Sequence, residues 1–174
     1  TYWTQGLNVS NCFEINFIPI TSDGRCGFQV CNLSTMNGAK IKSLNDFKEC
    51  SKAASLIGTL QASYTKFPYL GHNSEELTQE EALLGVSITG IMDNPQILLE
   101  PDNQREAAKL AVKVNEEWST KIGINQAARV TCVKPEGTTS LLLKSGSGIH
   151  PHHAHTYIRR VQMNKDDNIY SFFQ

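Results

Sequence analysis

Short extended stretches alternate in this 174-residue chain with long segments of helical periodicity, and a chain so built has few ways to bury its apolar side chains. From Leu44 onward Phe47, Cys50, Ala54, Ile57 and Leu60 recur at three- and four-residue steps, which draws one face of a helix. A second helix is predicted to open at Thr78-Gln79-Glu80-Glu81, where Thr78 and Glu81 form a capping box. Pro101-Asp102 opens a third, with Ala108, Ala111, Val114 and Trp118 on one stripe and Gly123 just beyond its end. Ahead of these, residues 12–20 read as a strand or extended loop, 21–25 as a turn and 27–31 as a second extended run. After them, residues 128–133 read as a buried strand and 157–162 as another. Strands separated by long helices imply an α/β architecture with a largely parallel sheet or barrel.

Composition narrows the function classes. Sixteen basic against 17 acidic side chains give a net charge of −1, which argues against nucleic acid as a partner held on a basic face. No apolar run approaches the ~20 residues that cross a bilayer, so no membrane association is expected. Five cysteines, an odd number without a tight framework, fit a reducing, cytoplasmic setting in which thiols serve as buried hydrophobes, ligands or catalysts. The chain opens on Thr1-Tyr2-Trp3 without an initiator Met and stops at Phe172-Phe173-Gln174 without a cap, the pattern expected of a piece of a longer protein.

Four clusters could carry chemistry. In Cys12-Phe13-Glu14 a thiol and a carboxylate two residues apart project to one side of an extended segment, as a nucleophilic or redox-active sulfur beside a general base would. Cys31 comes nineteen residues on; two strand cysteines could form a redox pair, or Cys26 and Cys31 could help bind zinc. Pro135-Glu136-Gly137-Thr138-Thr139-Ser140 succeeds a strand and opens a helix, where free amides, a permissive glycine and hydroxyls suit a phosphate. The plainer reading of that run is a Ser/Thr-rich helix cap, and it lacks the Gly-Lys-Ser/Thr ending of an ATPase loop. Four histidines crowd into His150-Pro151-His152-His153-Ala154-His155; a polar loop accounts for them as well as a metal does, and no metal site is assigned there.

Taken in order, Cys12-Phe13-Glu14-Ile15, Val30-Cys31-Asn32-Leu33-Ser34, Val133-Lys134-Pro135-Glu136-Gly137-Thr138, Gly148-Ile149-His150 and Tyr157-Ile158-Arg159-Arg160-Val161 resemble the large chains of ribonucleotide reductases. Lys-Pro-Glu-Gly and Tyr-Ile-Arg-Arg look most like the monomeric, adenosylcobalamin-dependent (class II) ribonucleoside-triphosphate reductases. The resemblance implies a ten-stranded α/β barrel with a central finger loop, of which residues 12–174 would be the C-terminal part. It implies Cys12 as the thiyl radical site, Glu14 as base on the 3′ hydroxyl, Cys31 as one of the reducing cysteines and residues 135–140 as the holder of the substrate phosphates. Adenosylcobalamin is the implied cofactor, a ribonucleotide the substrate, and a thioredoxin-type reductant the electron source through cysteines beyond this chain. A partial barrel of this kind is expected to be inactive and poorly soluble alone.

Residues 1–11 depart from that pattern. The family carries Asn two residues before the radical cysteine, where Ser10 stands here. The run Leu7-Asn8-Val9-Ser10-Asn11 before Cys12 is similar to the C-terminal end of an intein, which implies a splice junction at Asn11 and Cys12, although Ser10 replaces the usual penultimate His. Three other readings stand beside the first: the large subunit of a di-iron, two-subunit reductase, an intein–extein junction undergoing splicing, and a zinc module built on Cys26, Cys31 and the histidine loop.

Overall fold

The computed structural model describes residues 8–9, 15–152, 154, 156, 158, 160 and 162–173. Near its start, β1 (Asn8–Val9) pairs antiparallel with β2 (Asn16–Phe17) in the register Asn8↔Phe17. The expected turn comes next, with Gly24 in the left-handed region at φ +87°. Arg25 ties that turn to the next layer: its guanidinium reaches Asp23 and Glu76 at 2.7 Å and Asn73 Oδ1 at 2.8 Å.

The centre of the fold is a parallel sheet. β3 (Asn32–Asn37) runs alongside β4 (Leu84–Thr89), paired from Asn32↔Leu84 to Asn37↔Thr89. Residues 129–132 add a third parallel segment on the other side of β4, where Leu84 N donates to Arg129 O, Val86 N to Val130 O and Cys132 N to Val86 O. The α/β expectation therefore stands, but residues 128–133 run beside β4 through a single bridge at Thr131 with Val130 alone buried, so the expected buried strand is not formed. Among the described members of 157–162, Ile158, Arg160 and Gln162 lie in no strand, and Ile158 is 91% exposed.

The crossovers are helical. α1 (Leu44–Ala62) begins where the periodicity puts it. Ser43 Oγ accepts from Asp46 N at 3.1 Å, and the Asp46 carboxylate accepts from Lys42 N, a reciprocal cap. α2 (His72–Glu81) corrects the sequence reading, because Thr78 sits in its last turn and not at its start. Thr78 Oγ1 donates back to Ser74 O at 2.7 Å, and the chain leaves the helix through Ala82 in the left-handed region. The next six residues alternate strictly: Leu84, Val86 and Ile88 against Gly85, Ser87 and Thr89. That period of two belongs to a strand, and it overrides the apparent cap. A short α3 (Pro95–Leu98) precedes α4 (Pro101–Ile122), which starts on a proline and ends at Gly123 with φ +74°.

α1 and α4 cover one face of the sheet. Ile41, Phe47, Leu84 and Leu98 are almost wholly buried there, with Met36, Val86 and Ala111. Each large side chain removed from water contributes about 1.5–3 kcal/mol. The helix–helix seam is polar and small. Ser51 Oγ donates to Ala107 O at 2.7 Å, Ser55 Oγ to Ala111 O at 2.6 Å, and Asn115 Nδ2 to Thr59 Oγ1 at 2.9 Å. α1 also lies close on the sheet: a Cβ on Gly58 would stand 3.1 Å from Leu84 Cγ of β4. The buried stripe of α4 is Ala107, Ala111, Asn115 and Ser119; Ala111 is where the apolar pattern puts it, while Ala107, Asn115 and Ser119 take the places expected of their neighbours Ala108, Val114 and Trp118. On α1, Ile57 and Leu60 face outward.

Candidate functional site

Side chains alternate across a strand, so β3 and β4 divide cleanly. Leu84, Val86 and Met36 join the helix-side core, and Ser34 Oγ donates to Ala54 O of α1. The opposite face carries Cys31, Leu33, Thr35 and Asn37 from the β3 side and Gly85, Ser87 and Thr89 from β4. Leu33 apart, which packs over Gly85, it is small and polar. The hydroxyls of Thr35 and Ser87, opposite each other in the register, are buried without a hydrogen-bond partner.

Beyond the C-terminal ends of these strands the loops close on a cleft of about 1040 Å³, lined by residues that include Asp93, Gly137, Ser140, Lys144, Ser147 and His150. This is where open α/β sheets and α/β barrels place their ligands, because the loops after the strands converge there. Three side chains hold the loops. Thr89 Oγ1 donates to Gly146 O and accepts from Gly148 N. Asp93 accepts from Gly146 N at 2.6 Å and pairs with His152 Nε2 at 3.1 Å. Ser147 Oγ donates to Pro135 O at 2.9 Å and lies 3.1 Å from His150 Nδ1. Gly148 packs directly on the carbonyls of Lys134 and Pro135, leaving no room for a Cβ.

The run 135–140 lies at this cleft. Glu136 is buried and left-handed at φ +56°, and its carbonyl accepts from Ser140 N at 2.9 Å. The short α5 (Thr139–Leu143) opens here, in line with the sequence. Thr138 makes no side-chain cap bond, so the plain cap reading does not account for its hydroxyl. Gly137 and Ser140 line the cleft; Ser140 Oγ itself turns back to Gly137 O at 3.1 Å. Pro135 and Thr139 are half-buried beside it, and Thr138 is exposed.

Cys31 is half-buried just before β3. Its sulfur lies over Gly85, four residues along β4 from Thr89. At ~3.3 Å per residue that is about 13 Å from the cleft, so the structure sets the thiol and the 135–140 run at two ends of one sheet face. Cys12, Glu14 and Asn11 lie outside the described residues. Among the described residues no three His, Cys, Asp or Glu side chains gather as a metal site; His153 and His155 lie outside them. Sequence reasoning missed Thr35, Ser87 and Cys132 on the inner face. The alternation of 84–89 is the signal that points to Ser87; nothing in the sequence singles out the other two.

No protein-family model matches the chain. The chain is 25% identical over 143 residues to the adenosylcobalamin-dependent ribonucleoside-triphosphate reductases of Lactobacillus delbrueckii subsp. bulgaricus and Lactobacillus leichmannii, with 64% of the chain covered. It is 26% identical over 147 residues to a Dictyostelium discoideum protein named "Probable adenosylcobalamin-dependent ribonucleoside-triphosphate reductase", with 82% covered. The chain spans 19% of the length of each of these relatives. Among solved structures, the fold is similar to that of a B12-dependent (class II) ribonucleotide reductase: TM-score 0.62 at 20% identity, covering 86% of this chain and 23% of that one. These relatives lend no support to the intein resemblance. No helix among the described residues is long and apolar enough to cross a membrane.

Proposed function

We propose that this chain is part of the catalytic barrel of an adenosylcobalamin-dependent ribonucleotide reductase, an oxidoreductase that converts ribonucleotides to deoxyribonucleotides. The observation that carries the reading is the coincidence of sequence and fold likeness with a parallel sheet whose inner face is small and polar and whose strand ends open on a cleft. In this reading the three-stranded sheet belongs to a ten-stranded barrel, and the inner face looks into it.

The donor chemistry of the chain fits the cofactor, since Cys12 offers the thiol to which an organic radical is passed and Cys31 a second thiol for reduction. Adenosylcobalamin supplies that radical when bound. The Cys12 thiyl takes the 3′ hydrogen of the ribose. Glu14 takes the proton of the 3′ hydroxyl as the 2′ hydroxyl leaves as water. Cys31 and a second thiol outside this chain give up two electrons and two protons and become a disulfide, which a thioredoxin-type reductant reopens. Residues 135–140 hold the substrate phosphates at the cleft while the ribose lies deeper along the inner face. Enclosure keeps the sulfur radical from stray hydrogen donors.

The test uses the complete gene product that carries this chain. Deoxynucleotide formation with a dithiol should require adenosylcobalamin, need no second subunit, and vanish in Cys12→Ser. Activity that appears only with a metal-bearing second subunit would move the chain to the two-subunit type. An intact mass that retains an upstream segment joined at Asn11 would show the splice junction to be idle, and the same mass without residues 1–11 would show it to be used.

A further inference from the structure

Lys144 closes α5 in the left-handed region, at φ +54° and ψ +49°. A helix exit of this shape ordinarily takes glycine or asparagine, because a Cβ is disfavoured there. A lysine kept at such a position calls for a reason beyond the turn. Its side chain is exposed and lines the cleft at the strand ends together with Gly137 and Ser140. Among the described residues no carboxylate pairs with it, whereas Lys48, Lys52 and Lys121 are each paired.

The charge around it is one-sided. Asp93 is the one acid among the described residues that line the cleft, and both its oxygens are engaged, by Gly146 N at 2.6 Å and His152 Nε2 at 3.1 Å. Residues 135–140 bring hydroxyls but no cation, and their one ionisable side chain is the buried Glu136. Hydroxyls can orient a phosphate, but they leave its charge unmatched. Lys144 lies beyond Thr138 by about 9 Å along the chain, at about 1.5 Å per helical residue. That separation suits the far end of a phosphate chain whose near end lies at 137–140.

We propose that Lys144 binds the terminal phosphate of a ribonucleoside triphosphate and sets the preference for triphosphate over diphosphate. The inference rests on the reductase reading and adds a specificity residue to it. A diphosphate ends short of the ammonium and leaves it in water, at little cost. A triphosphate reaches it and gains a charge-assisted hydrogen bond that the diphosphate lacks. Lysine suits this task as a compact charge on a flexible four-carbon stem.

The test uses the complete gene product with labelled cytidine triphosphate and cytidine diphosphate, read by equilibrium dialysis, which needs no adenosylcobalamin. Wild type should bind the triphosphate more tightly. Lys144→Gly should weaken triphosphate binding about 10–100-fold, the range for a hydrogen bond to a charged group, and leave the diphosphate within about twofold. Lys144→Arg should keep most of the preference. Glycine is the informative replacement because it relieves the left-handed residue: the variant should melt at the wild-type temperature or above while losing selectivity. Equal binding of the two nucleotides by wild type, or a preference unchanged in Lys144→Gly, would overturn the proposal. Deoxynucleotide formation is measured alongside. A Lys144-dependent preference without reduction under any cofactor would sink the reductase reading and leave the phosphate contact standing. Reduction of both nucleotides, with their kcat/KM ratio unchanged in Lys144→Gly, would sink the contact alone.

Discussion

Asn115 is the residue on which the helix layer should depend most for its size. It is 2% exposed in the middle of α4, and both ends of its amide are engaged. Nδ2 donates to Thr59 Oγ1 of α1 at 2.9 Å, and Oδ1 accepts from Ala127 N at 2.9 Å, in the segment that leads to the third strand. One side chain thus joins two helices and the sheet. Asn115→Ala leaves the Ala127 N–H without its acceptor, which costs about 1–3 kcal/mol, and loses packing besides. We expect a total of about 2–4 kcal/mol. Ser55→Ala is the internal comparison. Its hydroxyl donates to Ala111 O, a carbonyl inside α4 that keeps its own helical partner. Only one net hydrogen bond is lost, about 0.5–1.5 kcal/mol. Urea unfolding of the full chain measures both. For a chain of this length about 1 kcal/mol shifts Tm by about 2–4 °C, so thermal scans should separate the two variants clearly. If Asn115→Ala costs no more than Ser55→Ala, the amide is not bridging the two layers and the argument fails.

Gly148→Ala should loosen the cleft. The residue sits at φ +34° with its Cα against the Lys134 and Pro135 carbonyls, which are backbone and cannot swing aside; we expect a loss of about 1–3 kcal/mol by urea unfolding, and a value within about 0.5 kcal/mol of wild type would mean the loop is not held there. Glu81 gives a pH signature. Burial raises its pKa above 4.5, against the opposing pull of Arg129. The folded state then holds its proton to higher pH than the unfolded state does, so stability falls as pH rises from 4.5 through the raised value. Glu81→Gln should flatten that slope and raise stability at neutral pH; an unchanged pH–stability profile would show that burial does not govern this carboxyl.

The helix start at Leu44 was legible from its apolar periodicity, and that at Pro101 because breakers act locally. Pro101 and Gly123 each do their work within a few residues. The start assigned at Thr78 failed for the same locality. Thr78 and Glu81 satisfy the capping pattern on paper, but the helix already begins at His72, seated by Arg25 contacts to Asn73 and Glu76 that lie some fifty residues apart in sequence. The stripe of α4 was right at Ala111 and missed Asn115 and Ser119, because a seam of Ser, Thr and Asn looks like a solvent face until a second helix supplies its partners. Of the candidate site, the helix that opens within 135–140 was legible from its residue types. The approach of Cys31 and Cys132 to Gly85 was not, since it depends on which strands become neighbours.

The strands themselves argue for what the far face is for. A parallel strand buried on both sides by apolar layers reads as a continuous hydrophobic run. β4 is buried along nearly its whole length, yet half its residues are Gly, Ser and Thr. Its helix side carries Leu84, Val86 and Ile88; its other side gives up hydrophobic stabilisation and leaves the Ser87 hydroxyl buried without a partner, a cost of about 1–3 kcal/mol. Thr35 repeats the arrangement on the neighbouring strand, directly opposite. Filling that face with valines would stabilise a sheet whose only task was to pack. A face kept small, polar and thiol-bearing, ending in a cleft at the strand termini, is better suited to receiving a ligand with hydroxyls along its length and anionic groups at its end. A nucleotide is such a ligand. Ser87→Val separates the two purposes: it should raise the stability of the full chain while weakening ribonucleotide binding by the complete gene product. A gain in stability with binding untouched would assign the face to packing alone.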